Sequence, residues 1–260
     1  MPQESNNQVM LALGVSYKGA AFAGFARQPG QLTVQGELEH ALGIIFRHPV
    51  ETVCAGRTDA GVHALGQVVS FSVPAEEWEG RTCDKLRASV DALTHGDIAM
   101  RWAEERDVEF SARFSAQARE YRYYICTDKA APLVMRDFSW HLGKPLDLDA
   151  MRAAAAFLIG EHDFKSFCLS ASAEGKPTHR NVMRIDIEQS SILGSDMVVV
   201  TVEGNAFLHS MVRTIVGTLV LVGRGKREPG WVQDVLAACD RSAAGENAPA
   251  QGLVFWHVTY

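Results

Sequence analysis

The chain has 260 residues, 47% hydrophobic and 22% charged, a usage that excludes a disordered or fibrous protein and suffices for one large domain or two of about 100 to 150 residues. Its formal net charge of -6, from 25 basic and 31 acidic residues, makes the molecule as a whole repel a polyanion. Five scattered cysteines without C-x-x-C spacing suit a reducing, cytoplasmic compartment, the N-terminus lacks a signal-peptide pattern, and the longest apolar run, Phe207 to Val222, is shorter than a bilayer span of ~20 residues.

Val9, Leu11, Leu13, Val15 and Tyr17 recur at period two and predict a half-buried strand. Thr33 then caps a helix with Val34, Leu38, Leu42 and Ile45 on one face. A short strand around Val50 to Ala55 follows, then a strand through Val69, Phe71 and Val73. Leu86, Val90 and Leu93 fall at helical spacing, and Ile98, Met100 and Trp102 alternate. The order is β-α-β-β-α-β, the ferredoxin-like pattern.

The second half repeats that order. Tyr121, Tyr123 and Ile125 alternate; Met151, Ala155 and Leu158 read as a helix behind Asp147 and Asp149; Ile185 and Ile187, then Val198, Val200 and Val202, read as strands. A long helix from Phe207, a second from Gly230 to Cys239, and a strand near Leu253 to Thr259 close the chain. The join is placed near Asp107, giving domains 8–107 and 108–260.

The segment with most chemistry is Cys54-Ala-Gly-Arg-Thr-Asp-Ala-Gly-Val-His-Ala-Leu-Gly66, which sets Arg57, Asp59 and His63 among three glycines between two strands. Gly56 and Gly61 have P-loop spacing, but Val62 and His63 stand where Lys and Ser/Thr must follow, which argues against nucleoside-triphosphate binding. A plain glycine-rich hairpin with Asp59 in an Asx-turn would explain the composition. In an extended loop, however, Arg57 and Asp59 project to one side, and a guanidinium keeps a neighbouring carboxylate ionised, as a nucleophile requires.

The run from Phe207 to Val222 is apolar nearly all round and contains Arg213. A buried arginine needs a partner, so this helix calls for a carboxylate from elsewhere, with Asp59 the candidate. His209, one turn earlier, would share that face. Between Arg113 and Tyr124 arginines alternate with aromatics, a pattern that suits phosphates and bases, or equally a surface strand with core tyrosines. No H-E-x-x-H or G-x-S-x-G points to a hydrolase.

GRTDAGVHA, the RFSAxAxxYRY segment, DFxSF at Asp163 to Phe167 and MVRxIVG at Met211 to Gly217, in order over nearly the whole chain, resemble the tRNA pseudouridine synthase A family. The resemblance implies an α+β fold of two ferredoxin-like halves related by a pseudo-twofold, sharing a mixed or antiparallel sheet with helices on one face and a central basic cleft. It implies isomerisation of uridine to pseudouridine at positions 38, 39 and 40 of the tRNA anticodon stem-loop, by a homodimer without cofactor or metal. A non-catalytic RNA-binding module using the same cleft is the alternative.

By the same resemblance Asp59 attacks the sugar C1′ or the uracil C6, Arg57 helps extrude the nucleotide, Tyr121 stacks on the flipped uracil, and Arg213 pairs with the aspartate. His63, Arg113 and Arg119 are carried as further substrate-binding residues. Two stretches depart from the family: Phe22-Ala-Gly-Phe-Ala26 replaces Tyr-x-Gly-Trp-Gln, and Asp91-Ala-Leu-Thr-His95 replaces Asn-x-x-Leu-Pro.

The negative total is unevenly spread. Residues 1–107 carry 9 basic against 14 acidic side chains and residues 108–260 carry 16 against 17. Within the latter, 113–136, 176–184 and 204–227 are net basic, which predicts a basic cleft on an acidic body.

Overall fold

A computed structural model describes residues 7–169 and 174–260. The chain forms two compact units, Met1–Gln117 with His257–Tyr260, and Ala118–Trp256. Both are mixed α+β, built on mostly antiparallel strands, with six α-helices among the described residues.

In the first unit, β1 (Gln8–Tyr17) lies antiparallel between β4 (Ile98–Arg106) and β3 (His63–Pro74), and the two-residue β2 (Val53–Cys54) pairs with β3. Helices α1 (Val34–Phe46), a short α2 (Ala75–Trp78) and α3 (Cys83–Leu93) complete it. Thr33 caps α1 by accepting from Gly36 N–H, and Thr82 does the same for α3 from Lys85 N–H.

The expected half-buried β1 is instead covered on both faces from Leu11 to Tyr17. Its alternate positions are small, Ala12, Gly14 and Ser16, and Gly14 stands opposite Trp102 in register. A Cβ on Gly14 would lie 2.2 Å from the indole, so the missing side chain is what admits that ring. Period two remains in the sizes of the residues while disappearing from their exposure.

The chain end returns to this unit. The Tyr260 hydroxyl donates to the Ala112 carbonyl at 2.9 Å, and its ring lies 4.9 Å from Phe110.

In the second unit the strand order is β10-β5-β9-β8-β7: β10 (Leu253–Thr259, its first four residues in this unit), β5 (Ala118–Cys126), β9 (Ser195–Gly204), β8 (His179–Ile192) and β7 (Gly160–Asp163). A two-residue β6 (Trp140–His141) runs parallel to β5. Tyr121 opposes Val202 and Tyr123 opposes Val200, so the alternating residues of β5 and β9 share one buried face. Leu193 and Gly194, both at positive φ, make the tight turn between β8 and β9.

Asp147 caps α4 (Leu148–Ala156), and Met151 of α4 packs on Gly223 at the end of α5 (Met211–Gly223); α6 (Trp231–Ala238) follows. The helix expected from Phe207 thus starts four residues later. Ser210 adopts a left-handed conformation, φ 60°, which a helix interior does not allow. His209 therefore precedes the helix in an exposed turn and shares no helical face with Arg213.

Candidate active site

The segment between β2 and β3 is held by the first unit's core. Gly56 is gripped by Gln67, whose Nε2 donates to the Gly56 carbonyl at 2.7 Å. The Thr58 carbonyl accepts from Phe25 N–H at 3.0 Å, and the Asp59 carbonyl accepts from Val62 N–H at 3.2 Å. Gly61 takes φ +79°, closing the turn.

Two further glycines let the backbone come close. A Cβ on Gly19 would meet the Val62 carbonyl oxygen at 2.0 Å, and one on Gly24, at φ +104°, would meet the Thr58 carbonyl oxygen at 3.0 Å.

Thr58 is buried, Asp59 partly exposed and Arg57 exposed. The burial pattern matches the expectation that Arg57 and Asp59 leave the loop on the side opposite Thr58. Positive charge gathers here: burial pushes the Cys54 thiol up to about 11, while the fields of Arg57 and Arg113 act to lower it. Arg113 also lies over the ring of the exposed Phe114 at 5.2 Å.

His63 begins β3 and is 2% exposed, with Nδ1 accepting from Gly19 N–H at 3.0 Å. That geometry braces the loop from beneath.

In the second unit Tyr121 is buried on β5, its ring edge-on to Phe207 at 5.1 Å and to Phe255 at 4.9 Å. Arg119 is buried too and donates to the Asn205 carbonyl at 2.6 Å. Arg122 pairs with Glu120 and stacks on Trp256 at 3.9 Å. Arg184 meets Glu120, Asp186 and Glu203, so part of the positive charge counted along the sequence is cancelled at once by local carboxylates.

Arg213 departs from the sealed charge that the apolar run suggested. It is partly exposed on an otherwise buried α5, and its Nε donates to the Ala248 carbonyl at 2.8 Å. A carbonyl from a loop thus takes up the Nε donor of the guanidinium.

Among the described residues no cluster of three or more His, Cys, Asp or Glu is arranged to hold a metal ion, and no helix is long and apolar enough to cross a membrane.

The profile of the tRNA pseudouridine synthase family matches residues 14–115 and 154–260. A tRNA pseudouridine synthase A of Brevibacillus brevis is 44% identical over 250 residues, covering 95% of this chain and 97% of its own length. Those of Aeromonas hydrophila and Tolumonas auensis are 42% and 41% identical over 250 residues, covering 96% of this chain and 90% and 92% of their own. The chain belongs to the tRNA pseudouridine synthase family. It is an isomerase that converts uridine to pseudouridine in tRNA.

As a synthase the molecule shows where its departures from the family pattern sit. The two departing stretches touch: the Phe22 ring packs edge-on against the His95 imidazole at 5.3 Å. His95 N–H donates to Glu37 on α1 at 3.0 Å, a bond that a proline in its place could not make. The two departing stretches thus meet in the fold, and Phe25 delivers its N–H to the Thr58 carbonyl.

Sequence reasoning missed Tyr17 and Gln67, which brace the synthase's loop. Tyr17 reads as one more apolar position of β1, and Gln67 as an ordinary polar residue in a strand. Gln67 falling within the buried strand β3 was the only available signal.

Proposed function

We propose that this synthase modifies uridines 38, 39 and 40 of the tRNA anticodon stem-loop, with Asp59 as the nucleophile toward the sugar C1′ or the uracil C6. The observation that carries the reading is the Asp59 loop, which fixes the peptide groups on both sides of a residue that stays partly exposed, two positions after the exposed Arg57. A group held in this way attacks without first having to be ordered.

The reaction breaks the N1–C1′ bond, turns the uracil and joins C5 to C1′; the proton lost from C5 is balanced by one gained at N1. Arg57 occupies the place left by the extruded nucleotide, offsetting part of the few kcal/mol lost on unstacking. Tyr121 offers its ring to the loose uracil and its hydroxyl to the C5 proton. Arg213 supplies a guanidinium to the catalytic carboxylate, and Arg113 and Arg119 serve the RNA backbone, Arg119 chiefly by ordering β5. His63 acts from below the loop by positioning it. The roles of Tyr121, Arg213 and the arginines rest on the motifs that carry the family resemblance.

In each half the antiparallel strand order, β4-β1-β3-β2 and β10-β5-β9-β8, supports a ferredoxin-like reading of the domains 8–107 and 108–260. A cytoplasmic homodimer completes the proposal. The decisive experiment is Asp59→Ala: pseudouridine formation is expected to vanish while tRNA still binds, and measurable turnover in that variant would remove Asp59 from the reaction.

A further inference from the structure

Tyr17 and Gln67 carry no charge and lie inside the first unit, yet their polar atoms converge on the loop of Asp59. The Tyr17 side chain, at the end of β1, is 5% exposed, and its oxygen lies 2.7 Å from Thr58 Oγ1. Gln67, fully buried on β3, donates from Nε2 to the Gly56 carbonyl at 2.7 Å and to the Tyr17 oxygen at 3.4 Å. Its Oε1 accepts from the N–H groups of Gly56 at 3.5 Å and Val68 at 3.2 Å.

The direction of the Gln67 bonds follows from donor and acceptor capacity. An amide nitrogen only donates, so the Tyr17 oxygen accepts from Gln67, while between the Tyr17 and Thr58 hydroxyls either oxygen can donate. Burial pushes the Tyr17 phenol above its ordinary range, so it remains protonated throughout the neutral region. The chain runs from Gln67 through Tyr17 to Thr58, the residue immediately before Asp59.

We infer that Tyr17 and Gln67 are positioning residues for the reaction, aiming the Asp59 carboxylate through Thr58 and Gly56. This inference rests on the proposed role of Asp59. Packing alone does not call for such residues, because apolar side chains of the same shape would fill this core at similar stability. What polar atoms add is direction. Gln67 fixes one peptide group and Tyr17 one hydroxyl on the inner side of the strip whose outer side presents Arg57 and Asp59, and a displacement of about 1 Å at a reacting group costs roughly 100-fold in rate.

The test compares Tyr17→Phe, Thr58→Val, their double variant and Asp59→Asn by single-turnover release of tritium from C5-labelled uridine in tRNA. Affinity for the same tRNA and melting temperature are measured in parallel. Tyr17→Phe is expected to slow the chemical step about 10- to 100-fold with tRNA affinity within about twofold. Thr58→Val is expected to do the same, and the double variant to be no slower than the slower single, because all three remove one shared hydrogen bond. Thr58→Ser, which keeps the hydroxyl, is expected to retain the rate.

A merely structural role would lower the melting temperature and leave the rate per folded molecule unchanged. A Tyr17→Phe or Thr58→Val rate within about twofold of the parent, or losses that multiply in the double variant, overturns the inference. Turnover in Asp59→Asn would instead overturn the assignment of the nucleophile, so the two failures are distinct.

Discussion

Arg213 and Ala248 hold each other through a reciprocal pair of hydrogen bonds. The arginine Nε donates to the Ala248 carbonyl at 2.8 Å, and the Ala248 N–H donates to the Arg213 carbonyl at 3.1 Å. The loop carrying Ala248 therefore holds the Nε side of the guanidinium, and it lies close because α5 is bare at Gly217. A Cβ there would lie 1.8 Å from the Glu246 carbonyl oxygen.

Gly217→Ala is accordingly expected to push this loop away, costing about 3 kcal/mol of stability by overpacking. It should also lower kcat by loosening Arg213. Urea unfolding and turnover on the same preparation would show it; an alanine variant with parental stability would mean that the loop moves freely.

On the other unit, Gly19→Ala is expected to displace the Val62 carbonyl and break the bond from Gly19 N–H to His63 Nδ1. The loss is expected in kcat more than in tRNA affinity, because the affected segment carries Asp59, the proposed nucleophile. A variant weakened in binding alone would contradict this.

Glu39 is 8% exposed and accepts from Arg27 at 2.6 Å, Gln35 at 3.0 Å, and the N–H and hydroxyl of Thr52 at 2.9 and 3.1 Å. Glu39→Ala leaves the buried Thr52 donors without that acceptor, at a cost of about 2 to 3 kcal/mol. Denaturant titration reads it directly, and a loss below about 0.5 kcal/mol, the range of neutral surface changes, would show that water replaces the carboxylate.

Alkaline stability follows from the buried acids. The Cys54 thiol is pushed up to about 11 by burial, and burial also raises the phenols of Tyr17 and Tyr123. The unfolded chain ionises these groups first, so their contribution is complete below the unfolded pKa, near 9 for the thiol, and is lost as pH rises through the folded value. The melting temperature should fall from about pH 9 upward, and Cys54→Ala should make the fall shallower. An identical alkaline profile in that variant would contradict the assignment.

Binding of tRNA should weaken as salt rises, with a logarithmic slope that drops by about 0.9 for each phosphate contact removed. Arg113→Ala is expected to lower that slope by about one contact. Arg184→Ala should leave it nearly unchanged, because Glu120, Asp186 and Glu203 already compensate that charge. Equal slopes for both variants would place Arg184 on the RNA.

Local pattern was enough to read the repeated strand and helix order, the Thr33 and Asp147 caps, and the loop bearing Arg57 and Asp59, because periodicity and turn chemistry act over a few neighbouring residues. Four recurring motifs were enough to read the family. Tertiary structure alone decided that β1 is covered on both faces from Leu11 to Tyr17, with Trp102 from another strand seated against Gly14. It also moved the start of α5 past His209, opened Arg213 to solvent, and tied Arg184 to three carboxylates.

The support of Asp59 was hidden for the same reason. Tyr17, Thr58 and Gln67 are separated along the chain, and their hydrogen bonds exist only once β1 and β3 lie side by side. The motif makes the Asp59 loop visible in the sequence; the side chains that hold that loop are distributed over strands that meet only in the fold.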